Sequence, residues 1–129
     1  LEVELLHLVG VYSRPAWCQG GDHDLIFAAR PLGGELMRSG DETLDAGFFA
    51  PDALPEPLVY WYCQRIADAL AGMRGIARQQ HAPWPFADDM TLGDLRRQLA
   101  SGELTLADLK KCFDLPGSGE GILETGTNT

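Results

Sequence analysis

The chain has 129 residues, of which 45% are hydrophobic, and its 19 acidic and 10 basic side chains give a net charge of −9. This length fits one domain with a core of its own. The acidic field repels polyanions and so disfavours nonspecific binding to nucleic acid. No apolar run approaches the roughly 20 residues of a membrane span, so we expect no membrane partner. Three widely spaced cysteines favour free thiols in a reducing compartment, which predicts a cytoplasmic location.

Residues 1–55 have the pattern of strands and turns. The chain opens on Leu-Glu-Val-Glu-Leu, an alternation that predicts a strand with one buried and one wet face. A mostly apolar run then continues to Tyr12, which predicts a strand covered on both faces. Residues 25–32 predict a second strand, Gly33-Gly34 a tight turn, and residues 43–49 a further short strand.

Residues 56–80 predict one helix. Six residues at helical spacing would form its apolar face: Leu58, Tyr62, Ile66, Ala69, Leu70 and Met73. Trp61 falls outside this stripe, which makes it a candidate contact in a homodimer. Residues 81–90 are rich in proline and are interpreted as a linker.

Residues 91–115 predict a hairpin of two short helices. Thr91 with Asp94 and Thr105 with Asp108 have the spacing of capping residues at helix N-termini. Residues 116–129 are rich in glycine, threonine and serine and are expected to form a disordered tail.

Several short motifs in residues 1–80 resemble the Nudix hydrolase superfamily. In chain order they are Leu8-Val9-Gly10-Val11-Tyr12-Ser13-Arg14-Pro15, His23 followed by Leu25-Ile26-Phe27-Ala28-Ala29, Gly33-Gly34-Glu35-Leu36, Asp41-Glu42-Thr43, Phe48-Phe49, Asp52-x-Leu54-Pro55 and Arg65-Ile66-x-Asp68-Ala69. No single motif is specific, and the resemblance rests on their order and spacing. The part of the family that they resemble is the portion C-terminal to its signature box.

The resemblance implies an α/β fold. We expect a partial Nudix-like α/β/α sandwich with a mixed sheet, to which the helices of residues 91–115 add a short C-terminal extension. Because the resemblance covers only part of the family's domain, we also expect exposed apolar surface, with marginal stability or self-association, for example as a homodimer.

The same resemblance implies hydrolysis of a nucleoside diphosphate linked to another group, with Mg²⁺ or Mn²⁺ as cofactor. In this family a helix of the signature box supplies the glutamates that hold the metal. The resemblance places that box, with the catalytic residues and main metal ligands, upstream of Leu1, so this chain alone is expected to be inactive. The alternative is a non-catalytic Nudix-like module that binds a nucleotide or a protein.

Five residues are candidates for contact with a nucleotide-type substrate or its metal. Tyr12, Arg14, Arg30 and Phe49 are the expected substrate contacts, and Glu42 is the expected metal contact. Arg14 is either a phosphate ligand or a surface arginine, and Arg30 is either a cleft residue or an edge-strand charge. Phe49 either stacks on a base or belongs to the core, and Glu42 is either a ligand or a turn-capping carboxylate.

Overall fold

The computed structural model of the chain describes residues 1–40, 46–56, 58–105, 107–109 and the backbone of 121–124. Its elements, in chain order, are β1 (Glu2–Arg14), β2 (Asp22–Gly33), α1 (Tyr60–Leu70), β3 (Ile76–Gln80), α2 (Leu92–Ser101) and β4 (Gly121–Glu124). The four strands form one mixed sheet in the order β2-β1-β3-β4. The predicted α/β class and the first two predicted strands are therefore confirmed.

The hairpin of β1 and β2 is the largest element of the sheet. Its antiparallel register runs from Glu2 opposite Gly33 to Arg14 opposite Asp22, and three irregularities bend it along the way. The loop that joins the two strands closes at Gly21, which has a φ of +82°. Glycine suits this conformation because it carries no Cβ.

The inner edge of β1 pairs in parallel with β3, from Gly10 opposite Ile76 to Ser13 opposite Gln79. A Cβ atom at position 10 would lie 2.7 Å from both the carbonyl oxygen and the Cγ1 atom of Ile76. The glycine therefore allows the two strands to approach closely. β4 then extends the sheet by pairing antiparallel with β3.

The helix predicted over residues 56–80 is much shorter than expected. α1 spans Tyr60–Leu70, and two glycines with positive φ, Gly72 and Gly75, separate it from β3. The prediction of helix is therefore wrong for residues 76–80, where pairing with β1 produces a strand.

The predicted apolar face of that helix is also wrong. The residues of α1 that are buried are Trp61, Arg65 and Asp68, whereas Tyr62 and Leu70 are exposed. Two charged side chains are therefore turned toward the sheet, where they meet polar partners on β1 and β3.

The apolar core lies at one end of the sheet, around Trp17, Trp61 and Ala82. Trp17 is in edge-to-face contact with Trp61, at a centroid distance of 5.1 Å, and with Trp84, at 4.9 Å. Trp61 is only 5% exposed on the protomer, which accounts for this side chain without a dimer contact. Ala82 belongs to this cluster and Trp84 packs against it, and both lie in the segment 81–90 interpreted above as a linker.

The C-terminal region contains the helix-capping contacts that its sequence predicts. Thr91 and Asp94 form a reciprocal capping box at the start of α2, with Asp94 N–H donating to Thr91 Oγ1 over 3.1 Å. Thr105 and Asp108 repeat this arrangement at the start of the helical residues 107–109.

Two further expectations for chain segments differ from the structure. Residues 121–124, expected within a disordered tail, form β4. Residues 46–49 of the strand predicted at 43–49 are not in a strand, and residues 43–45 lie outside the described part. Within the described ranges, no helix is long and apolar enough to cross a membrane.

Candidate functional site

The two faces of the β1–β2 hairpin differ sharply in polarity. Residues that lie opposite each other in an antiparallel pair share a face. The register therefore collects one set of side chains, here called the apolar sheet face: Val3, Leu5, Leu8, Val11, Leu25, Phe27 and Ala29. The other face carries Tyr12 and Asp24 and lies against α1.

In the described part of the chain, the apolar sheet face is largely exposed. Leu5 is 61% exposed, Leu25 60% and Phe27 45%. Surfaces of contiguous exposed apolar side chains mark interaction sites more often than ordinary protein surface. The alternation at the start of the chain separates apolar from polar residues, but the predicted buried face is wrong there, because residues 2–6 are all exposed.

The opposite face holds a polar network between the sheet and α1, which is buried except at Asp22 and Asp24, whose side chains are 34% and 38% exposed. It consists of three arginines, three aspartates and two neutral partners: Arg14, Arg65, Arg78, Asp22, Asp24, Asp68, Tyr12 and Gln80. The three cations match the three anions, so the formal charge of the network is zero. Such matching is what allows ionised groups to remain away from water.

Asp68 on α1 is the centre of one half of the polar network. Its Oδ2 atom accepts from the hydroxyl of Tyr12 at 2.9 Å and from Nε of Arg78 at 2.8 Å. Its Oδ1 atom accepts from Nη2 of Arg78 at 2.7 Å, which completes a bidentate pair. Burial, reinforced by the hydrogen bond to Asp68, raises the pKa of Tyr12 well above its usual value near 10.

Arg65 on α1 connects the second half of the network. Its Nη2 atom lies 2.8 Å from Oδ2 of Asp24, and its Nε donates to Gln80 Oε1 at 3.1 Å. Gln80 Nε2 in turn donates to the carbonyl oxygen of Trp61 at 3.1 Å. One turn of helix is therefore attached to both β2 and β3.

Arg14 is enclosed on all sides. Its Nε donates to Asp22 at 2.9 Å, and a second bond joins its Nη2 to the same carboxylate. Its guanidinium lies 4.8 Å from the ring centroid of Trp17 and 4.9 Å from that of Trp61. A phosphate could reach this arginine only by displacing Asp22 and opening the aromatic contacts.

The structure brings together two of the five predicted site residues. Tyr12, which is fully buried, and Arg14, which is 8% exposed, both belong to the polar network. Arg30 lies at the other end of the hairpin, where it is exposed and paired with Glu4. Phe49 is 53% exposed in the segment after residue 45, and Glu42 lies outside the described residues.

Most of the polar network was not recognised from the sequence. Asp22, Asp24 and Arg78 are separated from their partners by between 8 and 41 residues, and no local pattern links such positions. The available signal was the spacing of Trp61, Arg65 and Asp68, which places them on one face of a helix at positions i, i+4 and i+7.

The acidic residues of the described ranges do not fit the implied Mg²⁺ or Mn²⁺. A hard cation needs several oxygen ligands that converge on one point. Within these ranges no group of three or more histidine, cysteine, aspartate or glutamate residues could hold a metal. Asp22 and Asp24 are two carboxylates on one strand, and both are paired with arginines.

Two surface cavities have the volume of small-molecule sites, and both are acidic. One of about 550 Å³ lies beside α2 and includes Asp89, Asp94 and Glu103 with a single arginine, Arg97. The other has a volume of about 460 Å³ and is lined by Pro51, Asp52, Leu54, Pro55, Glu56, Leu58 and Cys63. Its charged residues are Asp52 and Glu56, so neither cavity matches an anionic ligand without added cations.

Comparisons with protein-family models, with curated proteins and with solved structures gave no match to this chain.

Proposed function

We propose that this chain is the substrate-side part of a Nudix-type hydrolase that cleaves a nucleoside diphosphate linked to another group. The order of motifs in residues 1–80 is one support, and the uncovered apolar sheet face is the observation that carries the proposal. An α/β/α sandwich needs helices on both faces of its sheet, and α1 covers only one face here. A helix on the apolar sheet face would complete the sandwich.

In this proposal the helix that covers the apolar sheet face carries the glutamates and the metal, and this chain contributes no catalytic residue. The chain's own part is to position that helix and to form a wall of the substrate cleft. Tyr12 and Arg14 act by holding α1 on the sheet through the polar network. Phe49 is an exposed aromatic side chain available for stacking on a base.

The free thiols of Cys18 and Cys63 agree with the cytoplasmic location that we propose for this enzyme. The non-catalytic binding module predicted as the alternative shares the same fold and differs only in turnover.

The test is turnover by the whole gene product with Mg²⁺ or Mn²⁺ and a panel of nucleoside diphosphate conjugates. Metal-dependent release of nucleoside monophosphate supports the proposal. Binding of the same compounds in calorimetry without any turnover would instead establish the binding module and overturn the hydrolase.

A matched pair of variants tests whether turnover depends on the apolar sheet face. Leu5 on this face and Leu70 on α1 are the same residue type with nearly equal exposure, 61% and 59%. Leu5→Asp should reduce turnover at least tenfold, because a charge at a covered apolar position costs more than the roughly 1.5–3 kcal/mol of burying leucine. Leu70→Asp should leave turnover within about twofold. Equal losses in both variants would contradict the assignment.

A further inference from the structure

The outer edge of β2 is a second unsatisfied surface, independent of the apolar sheet face. β2 is the first strand in the sheet order, and among the described residues only β1 pairs with it. A strand of 12 residues with one open edge presents a row of unpaired backbone donors and acceptors. Natural edges of this length are usually shortened, charged or covered.

Pro31 identifies the residues of β2 whose backbone N–H and C=O groups point toward the open edge. Proline has no N–H and is accommodated in an edge strand where its nitrogen faces away from the neighbouring strand. Successive residues of a strand alternate in the side to which their N–H and C=O groups point. Leu25, Phe27 and Ala29 have the same parity as Pro31, so their backbone groups point outward. These three residues carry the donors and acceptors that a partner strand would meet.

We propose that the outer edge of β2 pairs antiparallel with the same edge of a second copy of this chain, with Phe27 opposite Phe27 of that copy. In a twofold antiparallel pairing, the number of a residue in one copy and the number of the residue opposite it in the other copy always add up to the same value. With Phe27 at the centre, that value is 54. Leu25 then exchanges two hydrogen bonds with Ala29 of the second copy, and the symmetric pair does the same. With the central pair, six backbone hydrogen bonds join the two edges.

Charge complementarity supports this register. Residues 24 and 30 also sum to 54, so Asp24 of each copy lies opposite Arg30 of the other. Within one chain Asp24 already pairs with Arg65 and Arg30 with Glu4, and both side chains keep accessible surface for a second contact, at 38% and 62% exposure. The pair is of the closely spaced type, in which opposite charges favour association. The net charge of −9 opposes dimer formation in every register. The two Asp24–Arg30 ion pairs form only in this register, and they therefore favour it over the others.

A cross-linking pair tests both the partner and the register. Phe27→Cys and Leu25→Cys each place one thiol on the same strand and the same face, in a background in which the three native cysteines, Cys18, Cys63 and Cys112, are changed to serine. Position 27 meets itself across the twofold axis, within the Cα separation that a disulfide tolerates. Position 25 lies roughly four residues, or about 13 Å, from its own copy along the strand. Oxidised glutathione should convert Phe27→Cys, but not Leu25→Cys, to a covalent dimer.

Sedimentation equilibrium supplies a second test that needs no new thiol. Arg30→Glu should weaken dimer formation by about tenfold, because it replaces two attractive contacts with repulsive ones. Arg74→Glu makes the same charge change on an exposed arginine beyond α1 and should weaken it less than twofold. Ala29→Pro removes two outward N–H groups and should also weaken it by roughly tenfold or more.

The outcomes separate this proposal from the proposed function. A chain that remains a monomer at millimolar concentration, or equal cross-linking at positions 25 and 27, overturns the edge pairing and leaves the hydrolase assignment unaffected. Failure of turnover, conversely, has no bearing on the edge.

Discussion

Substitution of alanine for Asp68 removes the acceptor that Tyr12 and Arg78 share at the interface between α1 and the sheet. Asp68 is 5% exposed, and the side chain of Arg78 is 10% exposed. Removing one partner of a buried ion pair costs about 3–5 kcal/mol. The hydroxyl of Tyr12, which also loses its acceptor, adds about 1 kcal/mol. Because these contributions overlap, we expect the free energy of unfolding to fall by about 4 kcal/mol.

The assay is urea unfolding of the full chain followed by circular dichroism. With a slope of roughly 1.5 kcal/mol per molar urea, the midpoint should fall by about 2–3 M. Asp68→Asn keeps an oxygen acceptor and should lie between the wild type and Asp68→Ala, which preserves a measurement if the alanine variant does not fold. The double variant Asp68→Leu with Arg78→Met removes both charges and should recover part of the loss.

An exposed ion pair provides the control. Arg97 contacts Asp94 on α2, but its side chain is 78% exposed. Arg97→Ala should therefore cost less than about 1 kcal/mol. If Asp68→Ala cost no more than Arg97→Ala, the polar network would not hold α1 on the sheet, and the reasoning above would be refuted.

Two further predictions concern the hairpin loop and alkaline pH. Gly21→Ala should destabilise the fold by about 3 kcal/mol, because the added Cβ would lie 2.6 Å from the carbonyl oxygen of Arg14 at a φ of +82°. Gly20→Ala, where nothing lies within 4 Å of the added Cβ, should cost about 1 kcal/mol. Equal decreases in melting temperature for the two variants would contradict this. The raised pKa of Tyr12 contributes stability that is fully present below pH 10 and is lost as pH rises from there toward the folded-state pKa. Tyr12→Phe should flatten that alkaline decline in urea midpoints, and an unchanged slope would show that other groups cause it.

Local signals in the sequence predicted the parts of this fold that depend on neighbouring residues. The alternation in β1, the apolar run of β2 and the capping boxes at Thr91 and Thr105 are of this kind. Each depends on contacts between residues close in sequence or on a simple period of two. The positions of these strands and helix starts agree with the predictions, although the buried face predicted for the start of β1 is wrong.

The parts that were wrong depend on partners far away in the chain. The hydrophobic pattern of α1 gave the wrong face because Arg65 and Asp68 are buried through ion pairs with Asp24 and Arg78, and a hydropathy pattern counts such residues as exposed. Residues 76–80 became a strand because β1 had a free inner edge beside Gly10. Tyr12 and Arg14 were named as candidate substrate contacts, but their burial could not be predicted from the sequence, since it depends on the same kind of long-range pair.

The three tryptophans have a consequence for how unfolding of this chain is observed. All of them lie in the cluster of Trp17, Trp61 and Trp84, at one end of the sheet. Intrinsic fluorescence therefore reports on the contact of α1 with the loop after β1, and it is insensitive to the pairing of residues 2–8 with residues 27–33. Amide hydrogen exchange covers both ends of the hairpin. If the amides of residues 2–8 and 27–33 exchanged while the tryptophan emission remained native, this part of the hairpin would open as a unit of its own.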